Sequence, residues 1–106
     1  MWLLRTPEDA ISPFTFRIPP GKIKTIGRAP NADFIVDATL VSRLHCRISA
    51  GAAELQVEDL ESTNGTYVNG ERVDRAALRS GDRLGVGEVQ FVVSRSSRTA
   101  AEASPR

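Results

Sequence analysis

The chain has 106 residues, of which 41% are hydrophobic and 25% charged, a composition typical of one soluble globular domain. Its formal net charge is +1, and residues 1–93 hold 11 basic and 12 acidic side chains, so it lacks the basic field that drives nucleic-acid or membrane binding. The single cysteine, Cys46, excludes an intramolecular disulfide and a cysteine-based zinc site.

Short alternating segments between turn residues dominate the chain, and this pattern predicts β-strands. The first predicted strands cover residues 2–4, 14–18, 22–26 and 34–36. Others are predicted at 46–49, 54–58, 66–68, 71–73 and 89–93, the last after a hairpin turn at Gly87-Glu88. A single helical turn is considered at residues 75–79. About ten short strands indicate an all-β sandwich or barrel, with the aromatic residues of the alternating runs in its core.

The two ends of the chain carry weaker signals. Only three apolar residues precede Arg5, too few for a secretion signal, and no apolar run is long enough to span a membrane, so we expect a cytoplasmic location. Residues 94–106 contain no large apolar side chain and are predicted to be a disordered polar tail or linker after a domain at 1–93.

Three predicted loops concentrate hydrogen-bond donors. They contain two guanidinium groups (Arg28, Arg43), two hydroxyls (Ser42, Thr63) and the amide of Asn64. Arginine presents a fork of donors that matches phosphate oxygens, and hydroxyls and loop N–H groups can complete the coordination. A phosphate monoester is therefore a sensible ligand, and neither a cofactor nor a metal site is indicated.

The order and spacing of these motifs resemble the forkhead-associated (FHA) domain family. The resemblance runs from about Ile26 to Val93 through Gly27-Arg28, then Ser42-Arg43-Leu44-His45, then Thr63-Asn64-Gly65-Thr66 and Asn69-Gly70. It implies a sandwich of two twisted antiparallel sheets with about eleven strands, whose loops at one end bind phosphothreonine peptides. The implied partner is a phosphorylated protein in Ser/Thr kinase signalling, with the kinase itself or its substrate as candidates.

The resemblance also implies residue roles. Arg28, Ser42 and Arg43 match the phosphate contacts, Thr63 matches a position near the phosphothreonine, and Asn64 matches the asparagine that bonds the peptide backbone. Positions that mainly shape the loops are matched by Gly27, His45, Gly65 and Asn69. The two Asn-Gly pairs are thus given different tasks: Asn69-Gly70 is predicted to be a hairpin turn and Thr63-Asn64-Gly65 a binding loop.

Two alternatives were weighed against this interpretation. Ser42 and His45 suggest a hydrolase, but a nucleophilic serine also needs an orienting acid and an oxyanion hole, and no Gly-x-Ser-x-Gly elbow is present. We therefore predict that the protein is not an enzyme. A phospho-independent scaffold or dimerisation domain that uses a sheet face is the second function considered, and an exposed apolar patch away from the loops would favour it.

Overall fold

The structure, a computed structural model, describes residues 1–7 and 13–95. It contains eleven strands within these residues: β1 Trp2–Arg5, β2 Thr15–Ile18, β3 Ile23–Gly27, β4 Phe34–Ile35, β5 Cys46–Ala50, β6 Leu55–Asp59, β7 Thr66–Val68, β8 Glu71–Val73, β9 Arg75–Leu78, β10 Arg83–Val86 and β11 Val89–Arg95. No helix among the described residues is long and apolar enough to cross a membrane.

The strands form two sheets. One has six strands in the order β2-β1-β11-β10-β7-β8, and the other has five in the order β4-β3-β5-β6-β9. Neighbouring strands pair antiparallel except β3 and β4, which are parallel through Ile26↔Phe34 and Gly27↔Ile35. The predicted all-β sandwich of two sheets is confirmed, with one parallel pair at the edge of the five-stranded sheet.

The inner faces of both sheets form one apolar core, because alternate residues of each strand point inward. Phe91 and Ile48 are fully buried, one from each sheet, and Trp2 is nearly so. Phe16 of β2 stacks on Phe34 of β4 with ring centroids 4.4 Å apart, which joins the two sheets at one edge. The aromatic residues predicted for the core therefore lie in it or pack against it.

Two predicted hairpin turns are present. Asn69 and Gly70 have φ angles of 51° and 89°, and the paired residues Val68 and Glu71 flank them, as in a type I′ turn. Gly87 has φ 61° in the turn between β10 and β11. These backbone angles explain why the sequence places Asn-Gly and Gly at these points.

Residues 75–79 do not form the helical turn considered from sequence. Residues 75–78 are strand β9, which pairs with β6 and buries Leu78 against the core. Two adjacent alanines favour a helix locally, so the pairing with β6 overrides the local preference. Strand β10 was not predicted as a full strand, and β11 continues to Arg95, beyond the predicted domain end. Residues 96–106, which hold most of the predicted tail, lie outside the described residues, so the domain division stays a prediction.

Candidate functional site

Three loops meet at one end of the sandwich. They are the β3–β4 loop (28–33), the β4–β5 loop (36–45) and the β6–β7 loop (60–65). They enclose a shallow depression of about 180 Å³, lined by Arg28, Thr39, Leu40, Val41, Ser42, Thr63 and Asn64. Four of the five predicted ligand residues thus share one surface. The fifth, Arg43, is exposed beside Ser42 but does not line the depression.

Arg28 is held by main-chain groups of the neighbouring loop. Its N–H donates to the Ser42 carbonyl at 2.9 Å, and its side-chain Nε donates to the Val41 carbonyl at 3.1 Å. The residue is otherwise exposed, and it takes part in none of the ion pairs found among residues 1–7 and 13–95. Within the described part of the chain, no carboxylate therefore neutralises the Arg28 guanidinium.

The Ser42 hydroxyl is oriented by the third loop. Its oxygen accepts a hydrogen bond from the Thr63 N–H at 3.0 Å. Since Oγ is the acceptor in that bond, the hydroxyl hydrogen remains available as a donor. The same contact fixes Thr63 beside Ser42, so both hydroxyl-bearing residues line the same depression as the Arg28 guanidinium.

Asn64 links the third loop to the β4–β5 loop. Its Nδ2 donates to the Leu40 carbonyl at 3.1 Å, while the residue itself stays exposed at the rim of the depression. The side-chain carbonyl of Asn64 is directed by this bond, because the amide plane is fixed once its nitrogen is engaged. Asn64 can therefore shape the depression and also accept a hydrogen bond from a ligand.

His45 is completely buried beneath the loops and connects them. The Ser42 N–H donates to its Nδ1 at 3.0 Å, and its Nε2 lies 2.7 Å from the Gly65 carbonyl. Because Nδ1 accepts from a backbone N–H, the ring proton must sit on Nε2, which then donates to Gly65. Both ring nitrogens are occupied by backbone groups, so this imidazole is not paired with the Ser42 hydroxyl as a catalytic base would be.

Two glycines allow the loops to approach one another closely. A Cβ at Gly27 would lie 2.0 Å from the Arg43 carbonyl oxygen, a distance that only a backbone shift can relieve. Gly65 has φ 95°, a conformation that side-chain-bearing residues rarely adopt, and its Cβ would meet Arg72 at 2.8 Å. Asn64, by contrast with Asn69, has no positive φ, so the two Asn-Gly pairs differ in backbone conformation.

Asn69 lies away from the depression. Its Oδ1 accepts from the Arg83 N–H at 2.9 Å, and its Nδ2 donates to the Asp82 carboxylate at 3.2 Å. Its own N–H donates to the Arg83 carbonyl. Asn69 therefore attaches the β7–β8 turn to the start of β10, and none of its hydrogen bonds found among the described residues reaches a lining residue.

Asp59 was not singled out from sequence, yet it fixes the start of the β6–β7 loop. Its carboxylate accepts hydrogen bonds from the Ser62 hydroxyl at 2.5 Å, the Ser62 N–H at 3.1 Å and the Thr66 hydroxyl at 2.7 Å. Ser62 Oγ in turn accepts from the Gly65 N–H at 3.0 Å. Partial burial raises the pKa of Asp59, but the hydrogen bonds from Ser62 and Thr66 outweigh it and leave the pKa below its ordinary value.

Cys46 follows His45 and faces the core. Burial is the main cause that raises the pKa of its thiol to about 12, and the nearby Asp59 charge adds to the effect. The thiol is therefore protonated at neutral pH, and Cys46 fills core volume as a small buried residue.

The chemistry of the depression suits an anion. It combines a guanidinium that has no ion pair among the described residues, three hydroxyls (that of Thr39 included) and a side-chain amide, and no described carboxylate lines it. A larger cleft of about 690 Å³ lies on the other side of the β6–β7 loop, but four carboxylates (Glu58, Asp59, Glu61, Asp74) and two arginines line it. A phosphate group would be repelled there by the net negative charge, so the smaller depression is the candidate site.

Comparison with known proteins gives consistent results. The family model of the FHA domain matches residues 24–87. Glycogen accumulation regulator GarA of Mycolicibacterium smegmatis is 44% identical over 66 residues, which cover 62% of this chain and 42% of GarA. The first curated relatives are matched over 9% to 43% of their own lengths, so the chain spans less than half of each.

Solved structures show the same similarity. The FhaA FHA domain in complex with the intracellular domain of Rv3910 is 33% identical, with a TM-score of 0.77 over 88% of this chain and 99% of that one. A structure from a structural and functional analysis of phosphothreonine-dependent FHA domain interactions is 30% identical, with a TM-score of 0.75 over 89% and 95%.

Proposed function

This chain belongs to the forkhead-associated (FHA) domain family, and we propose that it is a phosphothreonine-dependent protein-interaction module. In this proposal the loops at one end of the sandwich bind a phosphorylated segment of another protein, and the domain acts in Ser/Thr kinase signalling in the cytoplasm. The partner is a phosphorylated protein, with a Ser/Thr kinase or its substrate as the candidates. It acts by binding and catalyses no reaction.

One observation carries the proposal: Arg28, Ser42, Thr63 and Asn64 come from three different loops and line one depression. A phosphate monoester carries about −1.5 to −2 charge at neutral pH and three acceptor oxygens. The Arg28 guanidinium supplies charge-assisted donors, the Ser42 hydroxyl supplies a further donor, and exposed Arg43 stands at the next position for an additional contact. Asn64 is assigned to the peptide backbone.

The apolar area of the threonine methyl group is too small to explain a strong preference for phosphothreonine over phosphoserine. One buried methyl group contributes only about 0.8 kcal/mol, or about fourfold in affinity. Stronger discrimination against phosphoserine requires loops that hold their shape before the ligand arrives. The bonds that His45 and Asp59 make to the loops supply such support.

Isothermal titration with a degenerate library of phosphothreonine peptides, and with its phosphoserine and unphosphorylated versions, tests the proposal. Wild-type protein should bind the phosphothreonine library most tightly and the unphosphorylated library least. Arg28→Ala should lose about 1.5–3 kcal/mol of binding free energy, or roughly 10- to 150-fold in affinity for the phosphothreonine library. Arg17→Ala, at an exposed arginine of β2, is the matched control that should bind as the wild type does. Equal binding of all three libraries, or unchanged binding by Arg28→Ala, would show that the proposal is wrong.

The alternative of a phospho-independent scaffold needs an apolar sheet face. On the outer face of the five-stranded sheet, Arg47 and Arg75 form ion pairs with Glu58 across three neighbouring strands. Ile23 is 61% exposed at the margin of that face. Ile35 of β4, the edge strand of the same sheet, is 46% exposed. Two apolar residues beside a charged centre do not make an apolar patch, so phosphopeptide binding by the loops is the better supported function.

A further inference from the structure

Leu40 is a lining residue of the depression whose main chain is held from two sides. Its N–H donates to the Glu88 carboxylate at 2.8 Å, and its carbonyl accepts from Asn64 Nδ2 at 3.1 Å. Leu40 is 43% exposed, so a large apolar residue with a held main chain lies at the surface next to the proposed phosphate site. Glu88 thus reaches the site from the turn between β10 and β11, a segment that carries none of the sequence motifs.

The β10–β11 turn packs closely against the loops that carry Leu40 and Gly65. A Cβ at Gly87 would lie 2.5 Å from the Leu40 carbonyl oxygen, and Gly87 donates its N–H to the Gly65 carbonyl at 3.3 Å. The turn therefore contacts both the β4–β5 loop and the β6–β7 loop. This close approach of the two backbones keeps Glu88 near Leu40, where its carboxylate accepts the hydrogen bond from the Leu40 N–H.

Glu88 brings a negative charge to this edge. The residue is exposed, and it takes part in none of the ion pairs found within residues 1–7 and 13–95. Arg28 is the only charged residue among the described residues that line the depression, and exposed Arg43 follows Ser42 in the chain; both are positive and are assigned to the phosphate. A peptide that places its phosphate on Arg28 and passes over Leu40 would therefore meet a carboxylate that no described cation neutralises.

We infer that Glu88 determines specificity: it selects phosphothreonine peptides with a basic residue at the position that passes Leu40 and disfavours an acidic residue there. This inference rests on the proposed phosphothreonine binding and adds the chemical class of peptide. Attraction or repulsion between exposed charges corresponds to about 1.5- to 5-fold in affinity for each charge and decreases as salt screens it. A change from lysine to glutamate in the peptide combines both effects.

The test uses the full chain and phosphothreonine peptides that carry a single Lys, Glu or Leu, placed in turn at each position flanking the phosphothreonine. At one flanking position, wild-type protein should bind the Lys peptide about 3- to 20-fold more tightly than the Glu peptide at low salt. Glu88→Gln retains a side-chain oxygen for the Leu40 N–H but removes the charge, so it should reduce that ratio to near one and leave the Leu peptide's affinity within about twofold.

Glu88→Ala separates charge from positioning, because it also removes the acceptor for the Leu40 N–H. It should abolish the Lys-over-Glu preference and in addition weaken the Leu peptide. If Glu88→Gln keeps the wild-type preference, or wild-type protein binds Lys and Glu peptides equally at every position, the inference is wrong even though phosphothreonine binding stands. If wild-type protein binds no phosphothreonine peptide, or Arg28→Ala binds as well as wild type, the proposed function fails and the inference fails with it.

Discussion

His45→Ala is the substitution that most directly tests how the loops are held together. The imidazole has no exposed surface, and it joins the Ser42 N–H of one loop to the Gly65 carbonyl of another. Alanine removes both hydrogen bonds and leaves a cavity between the β4–β5 and β6–β7 loops. The partly buried Ser42 N–H then has no other hydrogen bond among those found within residues 1–7 and 13–95, whereas the Gly65 carbonyl keeps the bond from the Gly87 N–H at 3.3 Å.

The magnitude follows from those two groups. A polar group left without a partner costs about 1–3 kcal/mol, which applies to the Ser42 N–H, and the loss of one of the two bonds to the Gly65 carbonyl adds about 0.5–1.5 kcal/mol, before any loss of packing. Water that enters the vacated volume would reduce this cost. We therefore expect the free energy of unfolding to fall by about 3 kcal/mol, a large share of the roughly 5–15 kcal/mol typical of a domain.

Urea unfolding and phosphopeptide titration together measure this effect. Leu78→Ala is the matched control, because Leu78 is equally buried but lies far from the loops. It pairs with Leu55 at the start of β6, whereas Asp59 is at the end of that strand. Both variants should lose about 2–5 kcal/mol of stability. Only His45→Ala should also lose affinity, by about tenfold or more (1.4 kcal/mol), at a temperature where both are folded. Equal affinity of the two variants would refute the idea that His45 positions the loops.

Three further predictions follow from the site. Asn64→Ala should weaken phosphopeptide binding with a small loss of stability, whereas Asn69→Ala should lower the urea midpoint and leave the affinity of the folded protein unchanged; the reverse pattern would contradict the division of tasks. Asp59→Asn should lower the free energy of unfolding at pH 7. The difference from wild type should shrink as pH falls below about 4, because a carboxylate with a lowered pKa stabilises the fold only while ionised, and a pH-independent difference would contradict this. Cys46 should resist thiol reagents at neutral pH until urea unfolds the chain, and rapid labelling of the folded protein would disprove its burial.

The sequence predicts the strands well where local signals agree. Alternating residues identify β2, β3, β5 and β6, and the Asn69-Gly70 turn follows from the rarity of positive φ in other residues. The same local reasoning does not assign β9, because Arg75, Ala76 and Ala77 have no strong preference for a strand. Its pairing with β6 comes from residues about twenty positions earlier in the chain.

The candidate site shows the same limit. Arg28, Ser42, Thr63 and Asn64 carry a recognisable order along the chain, and the structure brings them to one depression. Of the residues that hold the loops, His45 belongs to the same motifs, but Asp59 and Glu88 carry no such signal. Glu88 is 48 positions from the Leu40 N–H that it binds, and periodicity reports only on neighbours along a strand or helix. Contacts of this kind require the strand order, which the sequence patterns do not provide.

The residues that hold the β4–β5 and β6–β7 loops lie at one end of the paired strands β5 and β6. Cys46 pairs with Asp59 in the β5–β6 register, so His45, just before Cys46, and Asp59 stand at neighbouring strand ends. His45 holds Ser42 and Gly65, while Asp59 holds Ser62 and Thr66. The β6–β7 loop is thus fixed near both of its ends by groups that the sheet itself positions. A ligand that binds such loops does not have to order them, and the conformational entropy saved contributes to its affinity. Stability and binding are therefore coupled at His45 and Asp59, and they separate at residues such as Asn64, whose bond to the Leu40 carbonyl lies at the exposed rim.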